Sequence, residues 1–449
     1  MIRRNVFGAA LAIAAAAPAL AQESCVVWDT DWAVPGIADG YAGAIGFYQS
    51  QVFVGGSFSG MAGVPNSDYI ARYSPQSGAW SAVGAGINQG STNAFGTSFA
   101  TFDFGEGEEL VFGGFFFNAA NVSGTRSLAR WNGARWANLN TGFGNLAIIE
   151  SVWDLLVSDA VGGESRMYTV GSFPAIGGQT CAGIAYHDGK AWIPMNTAIT
   201  GTFSPGAFEA EAFDDGSGPA IYVGGRLTTI DGQDTNLVGK WNGSGWSRVG
   251  SGITSVNVSS QISAMCVFDD GTGPALYMGG NGLNVGTGAC SVVKWNGTSF
   301  TKVGQNLTGT VWDLIVFDDG QGPKLYLGGS AQPTTKYFAR LEGSAWVPAF
   351  GGASNSVFAA TTRDGRAYVA GNFTTIGAGA QPAAGLAILE RCNADCPADF
   401  DNDGFITGID YDLYVAAFEG GGASADFDGD GFITGIDFDL YVAAYEAGC

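Results

Sequence analysis

Phe213-Asp214-Asp215-Gly216-Ser217-Gly218-Pro219, then Ile221-Tyr222-Val223-Gly224-Gly225, then Trp241-Asn242-Gly243 and Trp246, is the stretch that decides the fold. Its parts read in order. An acidic Gly-rich turn joins two strands, and the second strand ends in a glycine doublet. After a longer loop, a third strand meets an Asn-Gly turn and a fourth strand carries a Trp. Asn-Gly is the preferred two-residue hairpin turn because both positions tolerate φ > 0. The unit is therefore four antiparallel strands in about 50 residues.

The unit repeats. The acidic hairpin returns at residues 268–274 and 317–323. The strand ending in glycine returns at Val54-Gly55-Gly56, Phe112-Gly113-Gly114, Val170-Gly171, Met278-Gly279-Gly280, Leu327-Gly328-Gly329 and Ala370-Gly371. Counting the decisive stretch, the final glycines lie 58, 57, 54, 55, 49 and 42 residues apart. An aromatic follows each of the first six by about twenty residues: Trp80, Trp136, Trp192, Trp246, Phe300 and Trp346. Four strands per repeat is a propeller blade. The glycines are expected where blades converge, and the aromatics between neighbouring sheets. The missing seventh aromatic is matched at the other end of the chain by Asp31-Trp32-Ala33-Val34-Pro35, 48 residues before Trp80. This predicts an all-β, seven-bladed β-propeller over residues 25–391, closed by the N-terminal strand, with six or eight blades as the alternatives. Closure of that kind removes free sheet edges.

Composition agrees and excludes other classes. Of 449 residues 72 are Gly, while aromatics make 13% and hydrophobics 46%, which is not a disordered chain. Glycine on this scale also excludes a helix-rich fold, since each interior helical Gly costs roughly 1 kcal/mol. The single histidine, His187, removes most zinc hydrolase and Ser-His-Asp chemistry. It stands where other repeats carry Trp131 and Trp241, and reads as their structural substitute. A net charge of −22 makes nucleic acid and anionic membranes poor partners.

Met1-Ile2-Arg3-Arg4, an apolar run over residues 6–17 and Ala19-Leu20-Ala21 form a signal peptide, residues 1–21. No later segment approaches the ~18 apolar residues of a membrane span. The expected product is secreted, extracellular or at the cell surface, by a route Arg3-Arg4 leaves open. In that compartment some of the seven cysteines should pair. Blade closure brings Cys25 toward Cys392, the first expected disulfide.

The acidic pairs Asp214-Asp215, Asp269-Asp270 and Asp318-Asp319 read as turn-capping residues and not as catalytic dyads, because equivalent blade positions stand around a ring. With its Gly-Gly doublets and later aromatics, the stretch 25–391 resembles the Kelch-type propeller repeat. Copper radical oxidases among secreted Kelch-like propellers need two His ligands, so that activity does not carry over to a chain with His187 alone.

Residues 392–449 differ in kind: no Lys or Arg and 13 acidic residues, hence −13 of the −22. Segments 399–419 and 426–446 agree at 18 of 21 positions. Each begins with a calcium loop in which alternating carboxylates converge on a hard cation and a Gly permits the reversal between them. The first loop offers Asp399, Asp401, Asp403, the Phe405 carbonyl and Asp410, with Gly404 at the turn. The second offers Asp426, Asp428, Asp430, the Phe432 carbonyl and Asp437, with Gly431 at the turn. Thr407 and Thr434 fall at loop position 9, and Ile406 and Ile433 would pair the loops. A short helix is expected after each loop, over 411–419 and 438–446. Two Ca2+ ions are expected, and folding should be coupled to them.

A duplicated loop–helix unit with Asp at the last loop position resembles a dockerin domain, closest to the variety ending in Gly-Cys, here Gly448-Cys449, of planctomycete-like bacteria. The resemblance implies calcium-dependent binding of a cohesin-like or other surface-anchoring protein. Cys396 and Cys449 bracket the duplication, the second expected disulfide. Together these readings predict a secreted, non-catalytic binding or scaffold propeller, for a glycan or protein ligand, anchored or sorted by a calcium-dependent module. The alternative is an extracellular carbohydrate-active enzyme, which requires carboxylates or Tyr converging at one mouth of the channel.

Overall fold

The computed structural model describes residues 26–30, 32, 36–37, 39–87, 94–144, 150–201, 204–286, 288–330, 335–391, 397–400, 408–429 and 431–447. The expected signal peptide, Cys25, Cys392, Cys396 and Cys449 lie outside them, so neither expected disulfide falls on described residues.

The repeats fold as antiparallel meanders. Gly40–Tyr48, Gln51–Phe58, Ile70–Ser74 and Ala79–Ala82 hydrogen-bond in sequence order, and the later repeats do likewise. The sheet led by Gln261–Asp269 carries an extra strand, Thr254–Ser255. In the last sheet the order is Val357–Arg363, Arg366–Gly371, Leu386–Arg391 and then the N-terminal strand Val26–Asp29, paired in register from Val26 opposite Arg391 to Asp29 opposite Ile388.

The first strands of the sheets are Gly40–Tyr48, Phe95–Asp103, Ser151–Ser158, Gly206–Asp214, Gln261–Asp269, Val311–Asp318 and Val357–Arg363. Each contacts the next, and the last contacts the first. A closed ring of outward-running four-stranded meanders is a β-propeller.

The outer aromatics tie sheet to sheet. Trp136 Nε1 donates to Val83 O (3.0 Å), Trp192 to Leu139 O (2.8 Å), Trp246 to Met195 O (2.8 Å) and Trp346 to Val303 O (3.2 Å), each just past the last strand of the preceding sheet. A buried indole thus fills the gap between sheets while its one polar atom is satisfied.

The same bond corrects one reading of the sequence. The residue that plays this part in the closing sheet is Trp28, whose Nε1 donates to Phe350 O (3.1 Å), and not Trp32. Trp32 follows that strand, stacks on Trp80 at 5.6 Å, and supplies the carbonyl to which Trp80 Nε1 donates (2.6 Å). The motif around Trp32 mimics that around Trp80, but the pairing register places Trp28 opposite Leu389 on the outer edge.

His187 takes the place of an aromatic. It is buried, meets Trp192 edge-on at 5.0 Å, and its Nδ1 accepts the Gly189 amide (3.0 Å). Burial pushes its pKa below the usual histidine range, with Arg130 adding to the shift and Asp188 opposing it.

The C-terminal residues form a separate small core of Ala398, Tyr414, Ala425 and Tyr441. Its helices are α1 (Gly408–Gly420) and α2 (Gly435–Ala447), each starting three residues before the expected 411 and 438. Asp410 and Asp437 thereby enter the first turn, where the helix dipole favours an anion. Tyr414 and Tyr441 stack at 3.7 Å and 5°. Tyr414 donates to Ala425 O and Tyr441 to Ala398 O, both at 3.2 Å. Each helix therefore bonds the carbonyl before the other repeat's loop, and the duplication in sequence becomes a pseudo-twofold in space.

Candidate functional sites: the channel and the twin acidic loops

The channel is built by a bulge. Every first strand slips register once, leaving Gly43, Thr97, Trp153, Phe208, Ser263, Trp312 and Phe358 without a partner. An unpaired residue of this kind bends the strand and re-aims its side chain. The final glycine of each repeat makes room for it. A Cβ on Gly56 would collide with the carbonyl oxygen of Tyr41, and one on Gly225 with that of Gly206, in each case two residues before the bulge. The preceding glycine has the role the sequence suggested: a Cβ on Gly55 would meet Phe112 of the next sheet at 2.6 Å, and one on Gly279 would meet Val311 at 2.6 Å.

The seven bulged residues all border one cavity of about 700 Å³. Its wall is largely aromatic. Phe95 stacks on Trp153 (5.6 Å), Trp153 meets Phe208 edge-on (5.7 Å), and Trp312 and Tyr41 flank Phe358 at 6.4 and 4.8 Å. The residue after the bulge is acidic in three repeats, and Asp154, Glu209 and Asp313 all line the cavity.

Two of these carboxylates hold neighbouring sheets together. Asp154 accepts the Ala210 amide (3.1 Å) and the Ser98 hydroxyl (3.1 Å), and Asp313 accepts the Ala360 amide (2.7 Å). Ser98 stands one sheet earlier and does the same, accepting the Leu155 amide (3.1 Å). The Glu209 carboxyl makes no hydrogen bond among the described residues. Burial pushes its carboxyl well above the usual range, and the charges of Asp154, Asp313 and Glu211 push it further. Burial also raises Asp313 to about 7 against the pull of the Ala360 and Leu314 amides, and Glu211 to about 7 against that of Ala212. Asp154 is raised by burial too, opposed by the bonds it accepts. Arg226, which also lines the cavity, lies over Phe208 (5.4 Å) and bonds Gln261 (2.5 Å).

None of these channel residues was singled out from the sequence, though a signal was there. Val152-Trp153-Asp154-Leu155 and Val311-Trp312-Asp313-Leu314 are the same tetrapeptide, and Phe208-Glu209 repeats the aromatic–acidic pair.

The acidic turns are structural. Asp214 accepts the Gly216 (2.9 Å) and Gly218 (3.0 Å) amides, and Asp269 and Asp318 do the same in their repeats. Asp103 makes a fourth copy with Gly105 and Gly107. The second Asp of each pair meets a base: Asp215 with Lys240 at 2.7 Å, Asp270 with Lys294 at 2.6 Å, Asp319 with Lys324 at 3.1 Å. Burial would raise the Asp215 carboxyl, but Lys240, Ser217, Tyr222 and Trp295 hold it far below the usual range.

In the C-terminal module, Asp426, Asp428 and Asp437 bring carboxylate oxygens within 4.8 Å of one another. The Gly431 amide donates to Asp426 (2.9 Å). The Thr434 and Phe427 amides donate to Asp437 (2.7 and 2.8 Å) and hold its carboxyl below the usual range. Thr434 Oγ1 also bonds Asp437 (3.1 Å), and Ile433 packs on the small core. The first loop repeats one bond, the Phe400 amide to Asp410 (2.8 Å), with Asp399 and Asp410 both buried. Phe432 is described and its side chain is exposed; Asp401, Asp403, Phe405, Asp430, Ile406 and Thr407 lie outside the described residues.

No known family's sequence profile matches the chain, and no curated protein does. Solved structures do. YCF48 from Cyanidioschyzon merolae aligns at a TM-score of 0.44 and 12% identity, over 82% of this chain and 99% of that one. The computationally designed Ika8 protein aligns at 0.42 and 10%, over 79% and 97%. The GH74 xyloglucanase from Xanthomonas campestris aligns at 0.35 and 11%, over 78% and 66%. At this similarity they carry no argument about activity, and the fold rests on the sheet order above. Among the described residues no helix is long and apolar enough to cross a membrane.

Proposed function

We propose that the chain is a secreted, seven-bladed binding propeller, non-catalytic, anchored or sorted by a dockerin-like module that holds two calcium ions. The seven bulged first strands in closed contact support the blade number. The observation that carries the anchoring half is the convergence of Asp426, Asp428 and Asp437 at loop positions 1, 3 and 12, the arrangement a hard oxygen-seeking cation requires. A repeated apolar face supports a protein partner. Ile409 and Leu413 on α1, and Ile436 and Leu440 on α2, stand exposed at matching positions, beside exposed Phe432. A cohesin-like or other surface-anchoring protein fits such a face. Calorimetry of the full chain should show two calcium ions per chain, reduced to one in Asp437→Asn; no calcium uptake would end this reading.

A second reading, an extracellular carbohydrate-active enzyme, is favoured by the raised carboxyls Glu209 and Asp313 at the channel, since an acid held protonated beside an ionised one can work as a pair. Release of reducing ends from a polysaccharide panel, lost by ~100-fold or more in Glu209→Gln, would establish it.

A further inference from the structure

We infer that the central cavity binds a hydroxylated organic cation of the amino-sugar class, its ammonium set among Asp154, Glu209 and Asp313 and its ring against Trp153, Trp312 and Phe358. The inference rests on the binding half of the proposed function and names the ligand class.

Three features of the cavity converge on that chemistry. The first is charge. Three carboxylates from three different sheets line it, and the Glu209 carboxyl is left without a hydrogen bond among the described residues while its neighbours hold theirs. A cation would meet the unused acceptor and relieve the mutual repulsion of the group. The charge is also diffuse. Among the described residues no three channel carboxylates bring oxygens within 4.8 Å of one another, as the C-terminal loop does, so a compact metal ion would find no cage. An ammonium on an extended frame can serve carboxylates that stand apart.

The second is the aromatic wall. Trp, Tyr and Phe faces attract an organic cation through their quadrupoles and also bury the apolar face of a ring. Arg226 over Phe208 shows the first kind of contact already made within this wall. The third is a set of hydrogen-bond donors. Ser172, Thr361 and the amide of Gln261, whose oxygen already accepts from Arg226, line the cavity. A ligand hydroxyl can accept from them, which an aliphatic ammonium cannot. The volume of about 700 Å³ falls in the range of small-molecule sites, ~300–1,000 Å³.

The charged and titratable groups that line the cavity are Asp154, Glu209, Asp313, Arg226 and Tyr41. Glu211 and the buried thiol of Cys266 are coupled to them, burial and the charges of Glu211, Asp313 and Glu209 raising that thiol well above its usual range. With Glu211 and Asp313 titrating near 7, cation binding below neutrality must expel protons from the protein.

The test is calorimetry on the full chain in saturating calcium, with the glucosamine trimer, the N-acetylglucosamine trimer and spermidine as probes. The glucosamine trimer should bind one per chain, at least tenfold tighter than either other probe. At pH 5 to 5.5, where the sugar amines are already charged and take up no proton on binding, the same titration in two buffers of different ionisation heat should show net proton release. Glu209→Gln should weaken the glucosamine trimer at least tenfold and leave the N-acetylated trimer unchanged. Its thermal midpoint at pH 8 should not fall, since it removes a repelled charge. Equal binding of the N-acetylated trimer would overturn the cationic requirement, and equal binding of spermidine would overturn the sugar class. No binding, proton uptake, or binding indifferent to Glu209→Gln would overturn the site. Calcium uptake is read in a separate titration, so loss of the anchoring reading and loss of the channel site are distinguishable.

Discussion

The molecule carries two acidic sites built in opposite ways. In the second C-terminal loop, Asp426, Asp428 and Asp437 come from twelve consecutive residues, converge within 4.8 Å, and are steadied by backbone amides that keep Asp437 ionised. In the channel, Asp154, Glu209 and Asp313 come from three sheets and are raised by burial toward protonation. Each group has three carboxylates, but convergence with amide support is what a hard ion would need. Dispersion with desolvation makes a reservoir of protons. Which of the two a cluster becomes is decided by backbone donors and water, not by how many acids it holds.

The largest expected effect tests whether the two regions are independent. Chelating calcium should abolish the helical circular dichroism of α1 and α2 while the propeller's unfolding midpoint stays put, because the small core of Tyr414 and Tyr441 cannot offset close-set carboxylates without the ion. A chelator that lowers both transitions would show one cooperative unit instead.

Next come the glycines, which the two regions need for different reasons. Gly225→Ala should cost at least about 3 kcal/mol in urea unfolding, since its Cβ would occupy the Gly206 carbonyl and spoil the bulge. Gly431→Ala has open space around it but a φ of +89°, so the expected cost is only about 1–2 kcal/mol, read on the calcium-loaded helical signal. Equal costs would undo the distinction between a steric and a dihedral requirement.

The contrast also explains what could be read in advance. The convergence of Asp426, Asp428 and Asp437 was legible because they fall in a short window whose spacing encodes the loop's geometry. The blades were legible because Gly, Asn-Gly and Trp recur with a period. The channel was not, because its acids lie at Asp154, Glu209 and Asp313, far apart in the chain, and meet only once the ring closes. Trp32 misled for a related reason: its neighbours imitate those of Trp80, but hydrogen-bond register places Trp28 at the outer edge.

A smaller effect is pH-dependent, and its sign separates the sites. Carboxyls raised in the folded state stabilise it fully below their unfolded values near 4, and that contribution is lost as pH rises through about 7 for Glu211 and Asp313. The propeller midpoint should therefore fall by a few degrees between pH 4.5 and 7.5, and Glu211→Gln should flatten the slope. Asp215 runs the other way: held low by Lys240, it contributes above the unfolded value and loses that contribution only in strong acid. A midpoint that rises across pH 4.5–7.5 would mean the channel acids are already neutralised by a bound cation.

The smallest expected effect concerns Ser98, which occupies in its sheet the place held by Asp154 and Asp313 in theirs. It accepts the Leu155 amide as those acids accept Ala210 and Ala360, but without a charge, so it joins the sheets and adds nothing to the channel's field. Ser98→Ala should cost about 1 kcal/mol in urea unfolding, the worth of a neutral hydrogen bond. It should also remove a donor from Asp154 (3.1 Å) and so raise that carboxyl further. Ser98→Asp makes the sharper comparison. If stitching between sheets is what the position requires, the variant matches the wild-type midpoint at pH 5 and falls below it at pH 8, where a fourth acid joins the group. If it matches wild type at both, the channel acids do not act on one another, and the mutual repulsion assigned to Glu209 fails with it.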